Sequence, residues 1–275
     1  MPHAALHGGH VSGLAMTHRK DAWWIAPFLT VLGFGAFIVY TTWAALQGEH
    51  YWYGSYLSPF YSPLLFIDSS AAGAAPLEHA WFGSWPTWWP AMLPSSPALF
   101  ILMFPGVFRF TCYYYRKAYY RSFVGTPPAC AVGALPRKSY LGETALLLFQ
   151  NFHRYALYPA IAFVFILYYD AVLAFFHDGR FGIGVGTVIL LTNATLLGCY
   201  TFGCHSFRHL VGGRLNCFSC DKQTQLRYGT WKRVSCLNER HMMWAWISLF
   251  WVGFSDLYVR LCSMGIIHDF NTWGF

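Results

Sequence analysis

The sequence predicts an all-α integral membrane protein with five transmembrane helices. Its N-terminus is expected in the cytoplasm, its C-terminus outside, and a long outer loop between the first two helices. Three observations predict this. Only 11% of the 275 residues are charged, against roughly 25% in soluble domains, while 56% are hydrophobic and 20% aromatic. Apolar runs long enough to cross about 30 Å of hydrocarbon, roughly 20 helical residues each, recur five times. The Lys and Arg residues collect in alternate connections. A nucleic-acid reader is excluded as a class despite the net charge of +7, because long apolar runs separate the basic stretches instead of a polar surface gathering them.

The spans follow in order. Residues 1–22 form a cytoplasmic tail with no apolar core, so no cleavable signal peptide is expected and the first helix, 23–45, doubles as the insertion signal. Segment 46–96 is rich in Trp, Tyr and Pro and holds only Glu49, Asp68 and Glu78 as acidic groups. It is expected to cap the bundle at the outer interface. The second helix, 97–115, leads into a basic loop, 116–143. The third, 145–176, is expected to begin early, near Tyr140, since only Gly142 and Pro159 interrupt the stretch to Phe176; neighbouring helices can tolerate Pro159. The fourth, 181–209, ends at Gly212-Gly213, a C-cap signal. A second basic loop, 210–240, precedes the fifth helix, 242–264, and an outer tail, 265–275. Residues 23–264 are therefore one membrane domain.

Orientation comes from the basic residues. Arg19 and Lys20 lie in the tail; Arg116, Lys117, Arg121, Arg137 and Lys138 in the second connection; Arg214, Lys222, Arg227, Lys232, Arg233 and Arg240 in the fourth. The alternate segments hold none except Arg180. By the positive-inside rule the tail and both basic loops are cytoplasmic, which places the chain in the plasma membrane.

The eight cysteines and the internal histidines are the candidate chemistry. Structural disulfides are not expected on a reducing cytoplasmic side. Cys199 and Cys262, inside apolar helices, read as packing residues. His153 on the third helix, His205 and His209 at the end of the fourth, and His241 at the start of the fifth all come out near the cytoplasmic boundary at 1.5 Å per residue, with Cys112 and Cys204 at the same level. One boundary histidine is ordinarily a hydrogen-bonded interface residue; several at one depth suggest a shared site. His205 and His209 share a helical face, and Cys217 and Cys220 follow, which leaves a Cys2His2 zinc site as one reading. Zincin, phosphate-loop and nucleophile-elbow motifs are absent, and the chain contributes no catalytic residues of its own. Asp170, Asp256 and Arg260 are intramembrane ionisable groups, functional by default, although Asp256 and Arg260 are four apart and can pair.

Six strings then resemble one family. They are Phe108-Arg-Phe-Thr-Cys112-Tyr-Tyr-Tyr-Arg-Lys-Ala-Tyr-Tyr-Arg121, Pro127-Pro-Ala-Cys130-Ala-Val, Gln150-Asn-Phe-His153-Arg-Tyr, Cys204-His-Ser-Phe-Arg-His209-Leu-Val-Gly-Gly, Leu237-Asn-Glu-Arg-His241-Met-Met-Trp-Ala-Trp and Asp256-Leu-Tyr-Val-Arg260. Together they resemble the five-helix membrane anchor of actinobacterial succinate dehydrogenase, and more closely its haem-free mycobacterial class. The resemblance implies a subunit of respiratory complex II, the tricarboxylic-acid-cycle enzyme. It would dock a flavoprotein carrying FAD and an iron–sulfur protein on the cytoplasmic side and pass electrons to menaquinone or ubiquinone. It also implies a Rieske-type 2Fe-2S cluster in the membrane part, which needs two thiolates on one iron and two imidazoles on the other.

The Cys-x-His and Cys-x-x-His loops of soluble Rieske domains are missing, so the ligands stay a pool: Cys112 and Cys204 for the thiolates, with two among His153, His205, His209 and His241. Cys130 is the next candidate, then Cys217 and Cys220. Arg109, Arg116, Lys117 and Arg121 beside Cys112 read either as positive charge favouring a reduced cluster or as a snorkelling cytoplasmic belt. A quinone needs an apolar slot and donors for its oxygens. The cytoplasmic level offers Arg154, Tyr155, Ser206, His241, Trp244 and Trp246; the outer cap offers Tyr56, Ser58 and Tyr61 near Asp170 or Asp256. Alternatives are a di-haem cytochrome b anchor, which would need axial histidines at two depths, and the membrane zinc protein.

Overall fold

The computed structural model describes residues 13–90, 92–134 and 148–274. The expected early start of the third helix over 140–147 lies outside them, as do Arg137 and Lys138. Among the described residues four helices are long and apolar enough to cross a membrane: α1 (Ile25–Gln47), α4 (His153–Leu173), α5 (Val185–Phe202) and α8 (His241–Ser263). The pair α2 (Ala98–Phe110) and α3 (Tyr113–Phe123) passes the same test as one interrupted span, which would make five. The chain divides into two compact units, Met1–Ala36 with Phe110–Gln150 and Phe37–Arg109 with Asn151–Phe275.

In the first unit, the aromatic face of α3 meets the first half of α1: the Phe34 ring lies 5.7 Å from Tyr115 and 5.9 Å from both Tyr119 and Phe123. The tail is tied down by the segment before the undescribed residues. Gly133 N–H donates to Met16 O at 2.8 Å, the Thr17 hydroxyl to Ala131 O at 2.7 Å, and Arg19 to Cys130 O at 2.9 Å. Asp21, paired with Arg19, has its carboxyl held below the usual range by that guanidinium.

In the second unit, α5 packs between α4 and α8, and its composition explains how. It buries Gly186, Thr187, Asn193, Ala194, Gly198 and Thr201 and exposes Val188 and Leu191. These small and weakly polar residues are buried together with Ile189, Leu190 and Tyr200, and small residues let neighbouring membrane helices approach closely. Large apolar side chains also face outward on α4 (Phe165, Tyr169 and Val172) and on α8 (Ile247, Phe250 and Phe254).

The 46–96 segment folds as a packed cap with its own core. Tyr51 stacks on Tyr61 with ring centroids 4.4 Å apart, and Phe60, Leu64 and Ile67 are buried around them. Gly48 stops α1 by adopting φ +67°, the left-handed conformation that a helix C-terminus takes most easily with glycine. Its N–H donates to the Tyr61 hydroxyl at 3.1 Å, and that hydroxyl donates to Ala44 O at 2.7 Å. Burial pushes the Tyr51 phenol up to about 12 and raises Tyr56 and Tyr61 as well, so all three remain protonated.

Buried ionic groups on α8 and beyond seat the cap. Asp256 accepts from Tyr40 at 2.5 Å and from the Ser58 hydroxyl, and pairs with Arg260 at 3.4 Å, as their four-residue spacing predicts. Arg260 also donates to Glu49 O at 2.8 Å and lies 5.1 Å over the Trp43 ring. Asp269 gathers Tyr56 at 2.8 Å, Tyr258 at 2.6 Å and the Gly186 N–H at 2.9 Å. A Cβ at Gly186 would run into the Tyr56 ring, so this close approach requires glycine.

Three expectations about elements are corrected. The second span, expected straight over 97–115, is interrupted at Thr111–Cys112, where Cys112 is extended (φ −69°, ψ 130°) and caps α3. The fourth does not run over 181–209. An Arg180–Phe181 strand first pairs with Phe176–His177 around an Asp178-Gly179 turn, whose positive φ angles suit a two-residue hairpin. The helix then stops at Phe202, and Cys204, again extended (φ −66°, ψ 143°), starts a separate α6 (His205–Gly212). The stop is held by Asn238, whose amide donates to Gly203 O at 2.8 Å. Finally, the loop expected over 210–240 contains an 18-residue helix, α7 (Lys222–Glu239). Its N-cap is Asp221, which accepts from Thr224 N–H at 2.6 Å and is held below the usual carboxyl range by it. α7 folds back on α6, with Arg208 4.6 Å over the Trp231 ring and Arg227 donating to Gly213 O at 2.9 Å.

Candidate functional site

The starts of α4, α6 and α8 meet at one end of the second unit, and each contributes its first or capping residue. His153 opens α4 and is 8% exposed; Cys204 caps α6 at 1%; His241 opens α8 at 2%. Thus sequence depth located these three side chains correctly relative to the helix ends, although the helix carrying Cys204 breaks where none was expected.

His153 is the best defined of them. Its ring stacks on Phe108 with centroids 4.4 Å apart, its Nδ1 lies 3.0 Å from Phe108 O, and its Nε2 lies 3.0 Å from Cys204 Sγ. A carbonyl oxygen only accepts, so Nδ1 carries the proton. In the neutral ring Nε2 then presents its lone pair toward the thiol. Metal-ligating histidines are ordinarily held this way, by a backbone carbonyl on the other nitrogen. Cys204 Sγ also accepts from Ser206 N–H at 3.3 Å, at the N-terminus of α6.

From His153 the packing continues as an aromatic series. Phe108 meets Tyr200 edge-on at 5.4 Å, and Tyr200 stacks on His241 at 5.0 Å. Arg109 covers Tyr200 at 4.6 Å and donates to Ala245 O at 3.0 Å and the Ser248 hydroxyl at 2.9 Å. The half-buried Arg109 guanidinium thus turns toward Tyr200 and the start of α8. Sequence reasoning did not foresee Tyr200 at all, and its only signal was aromatic character on a helix otherwise small and apolar inside.

An apolar cavity of about 130 Å³ opens beside this series. Phe37, Phe60, Leu102, Gly106, Phe163 and Leu167 wall it, and Phe108, Arg109, Tyr200 and Thr201 close the end nearest His153. An engineered apolar cavity of about 150 Å³ accepts benzene, and this one is of comparable size.

The remaining candidates fall elsewhere. His205 and His209 face each other with ring centroids 4.9 Å apart, but both are exposed. Burial, with His209 and Arg208 nearby, lowers the His205 pKa, which keeps its ring neutral. Cys217 and Cys220 are joined in a disulfide, contrary to the expectation of free thiols, which removes both thiolates from the zinc reading. Cys130 is exposed in the first unit, and Cys112 is 2% exposed there. Arg154 and Tyr155 are exposed, the guanidinium 5.8 Å over the ring. Trp244 is half-buried, and its Nε1–H has no hydrogen-bond partner among the described residues. Ser58 and Tyr61 are 0% exposed and committed to Asp256 and to Ala44.

Among the described residues no group of three or more His, Cys, Asp or Glu side chains is gathered tightly enough to hold a metal ion. The donors nevertheless fit a mixed imidazole–thiolate centre by chemistry: a buried thiol at a helix N-terminus and a buried imidazole with its lone pair directed at it.

A family profile described as actinobacterial succinate dehydrogenase subunit SdhC matches residues 25–265. Among solved structures, a chain of the Mycobacterium smegmatis Sdh1 complex in the apo form is similar, with 45% sequence identity, 92% of each chain covered and a TM-score of 0.80. No curated protein matches.

Proposed function

The chain belongs to the actinobacterial succinate dehydrogenase subunit SdhC family, and from that premise we propose that it relays electrons from the iron–sulfur subunit to quinone through a Rieske-type 2Fe-2S cluster. It is the multi-pass membrane anchor of the enzyme; succinate is oxidised in the flavoprotein partner. The observation that carries the proposal is the His153–Cys204 pair, 3.0 Å apart and buried beside an apolar cavity.

When bound, such a cluster supplies one-electron transfer at a potential raised by its two neutral imidazoles. The residues of the second unit that would hold it are Cys204, His153 and His241; for the second thiolate Cys112 remains the candidate from the sequence alone. Exposure leaves His205 and His209 outside this set. Phe108 O fixes the His153 tautomer, and the Phe108 and Tyr200 rings exclude water from it. Arg109 and Tyr200 lie between this end and the apolar cavity, where the quinone ring would sit. Arg109 offers N–H donors to a ring oxygen. The N-terminus cytoplasmic, C-terminus outside topology belongs to the same proposal and rests on the distribution of basic residues.

The test is iron and acid-labile sulfide analysis of the purified complex, with optical and electron paramagnetic resonance spectra. The expected result is about two irons and two sulfides that disappear in Cys204→Ala. A haem Soret band would favour the di-haem anchor instead. Among the described residues, however, the two buried histidines, His153 and His241, both open helices at the same end.

The cavity makes a separate prediction. A Cβ at Gly106 meets nothing within 4 Å, so Gly106→Leu fills the space without disturbing α2. Succinate:quinone turnover is expected to fall at least about tenfold, ~1.4 kcal/mol, with the artificial-acceptor rate unchanged. Equal turnover in the variant would move the quinone out of this cavity.

A further inference from the structure

Two cavities border successive stretches of α4, and a carboxylic acid, Asp170, lines the second one turn beyond the last α4 residue of the first. The apolar cavity is walled by Phe163, Val164 and Leu167 of this helix; a second cavity, of about 700 Å³, is lined by Tyr169, Asp170 and Leu173. Leu167 and Asp170 are three residues apart, on the same face and about 4.5 Å apart along the axis. The cap crosses at the same point. Phe60 borders the first cavity, Leu57, Pro63 and Leu64 border the second, and the Ser62 hydroxyl donates to Asp170.

The second cavity differs in character from the first. Its lining includes Glu78, His79, His177 and Asp178, with the Glu78 and Asp178 side chains 80% and 88% exposed at the rim. It therefore opens to solvent, at the end of α4 opposite His153. Asp170 is half-buried at its inner wall, and its hydrogen-bond partner among the described residues is Ser62. Asp256 is the contrasting case: it is 0% exposed, saturated by Tyr40, Ser58 and Arg260, and lines neither cavity.

We propose that Asp170 and Ser62 form a proton relay that passes protons from the solvent-open cavity to quinone in the apolar one. This rests on the quinone reading of the apolar cavity. Reduction of quinone takes up two electrons, supplied by succinate, and two protons, and an O–H bond forms at each ring oxygen. Each proton leaves the Asp170 carboxyl through the Ser62 hydroxyl, and water in the outer cavity re-protonates the carboxylate. The two protons released by succinate oxidation stay on the flavoprotein side, so turnover draws one proton per electron from the opposite face. Asp170 is a relay residue and does not touch the quinone; Glu78, His79, His177 and Asp178 set the charge around its solvent side.

The test uses the complete complex in liposomes with pyranine trapped inside. Succinate added outside reaches only complexes whose flavoprotein faces outward, so the Asp170 cavity opens to the lumen. With a short-chain quinone and wild-type complex, the lumen should become alkaline as quinol forms. Asp170→Asn should abolish that change and slow quinone reduction at least about tenfold, with the artificial-acceptor rate unchanged. Asp170→Glu should restore both, and its turnover should show a shifted pH profile. Ser62→Ala should slow the lumenal change about threefold or more, and keeps the test open if Asp170→Asn fails to assemble. The relay is overturned if Asp170→Asn or Ser62→Ala alkalinises the lumen at the wild-type rate, or if the wild type reduces quinone with no lumenal change. If Gly106→Leu slows quinone reduction while Asp170→Asn leaves the lumen signal intact, only the relay falls; if Gly106→Leu has no effect, the quinone reading itself falls.

Discussion

Replacing His153 by alanine is expected to lower succinate:quinone turnover by at least ~100-fold while succinate oxidation with an artificial acceptor stays within about twofold. Removing a residue that merely orients a metal ligand commonly costs 10–100-fold, and His153 is read here as a ligand itself. Its ring is held on one side by Phe108 O and faces Cys204 on the other, so alanine deletes both the donor and the group that stacks on Phe108. Glutamine at the same position fills part of the space without an imidazole lone pair and should be equally inactive, which separates ligation from packing. Iron analysis of the variant decides the matter independently of rate: about two irons should be lost. Unchanged iron and unchanged turnover together would remove His153 from the electron path.

The second large effect is on stability. Arg260→Ala should destabilise the anchor by about 3–5 kcal/mol, because breaking a buried ion pair from one side leaves an uncompensated charge. Asp256 would keep Tyr40 and Ser58 as donors but lose its cation, and Glu49 O would lose the guanidinium that satisfies it. Arg260→Met combined with Asp256→Leu removes both charges and should be milder than Arg260→Ala alone. Thermal unfolding of the purified complex measures the order. If the double variant proves worse than the single, the pair is held together by its hydrogen-bond network more than by charge compensation.

Much of this was legible in the sequence because it depends on periodicities that lipid enforces. Apolar length marked the spans, basic residues marked the connections, and counting along helices brought His153, Cys204 and His241 to one level. What stayed illegible were the breaks. Cys112 and Cys204 lie in apolar or aromatic stretches whose hydropathy continues across them, so nothing in composition announces that each turns extended and begins a new helix. α7 was hidden for the opposite reason: it is polar on every side, and its stability comes from the Asp221 cap and from packing on α6 through Trp231 and Arg227. Ser58 and Tyr61 looked like quinone donors because they are polar residues near a carboxylate. In the fold that carboxylate is Asp256, and both hydroxyls are used to hold the cap. Arg154 and Tyr155, adjacent to His153 in sequence, lie on the exposed side of α4, a rotation that spacing along the helix does not reveal.

The cap also imposes an order on synthesis. Ser58 waits for Asp256, 198 residues later; Glu49 O waits for Arg260, 211 later; and Tyr56 waits for Asp269, 213 later. At about 5–20 residues per second, that interval is roughly 10–40 s. Throughout it these polar groups lack the partners they have in the fold. The contacts that seat the aromatic cap on α8 and beyond can therefore form only once that last helix has been made. A chain truncated before α8 would leave its cap unclosed, and that exposed Trp- and Tyr-rich segment is what a membrane quality-control protease would meet first.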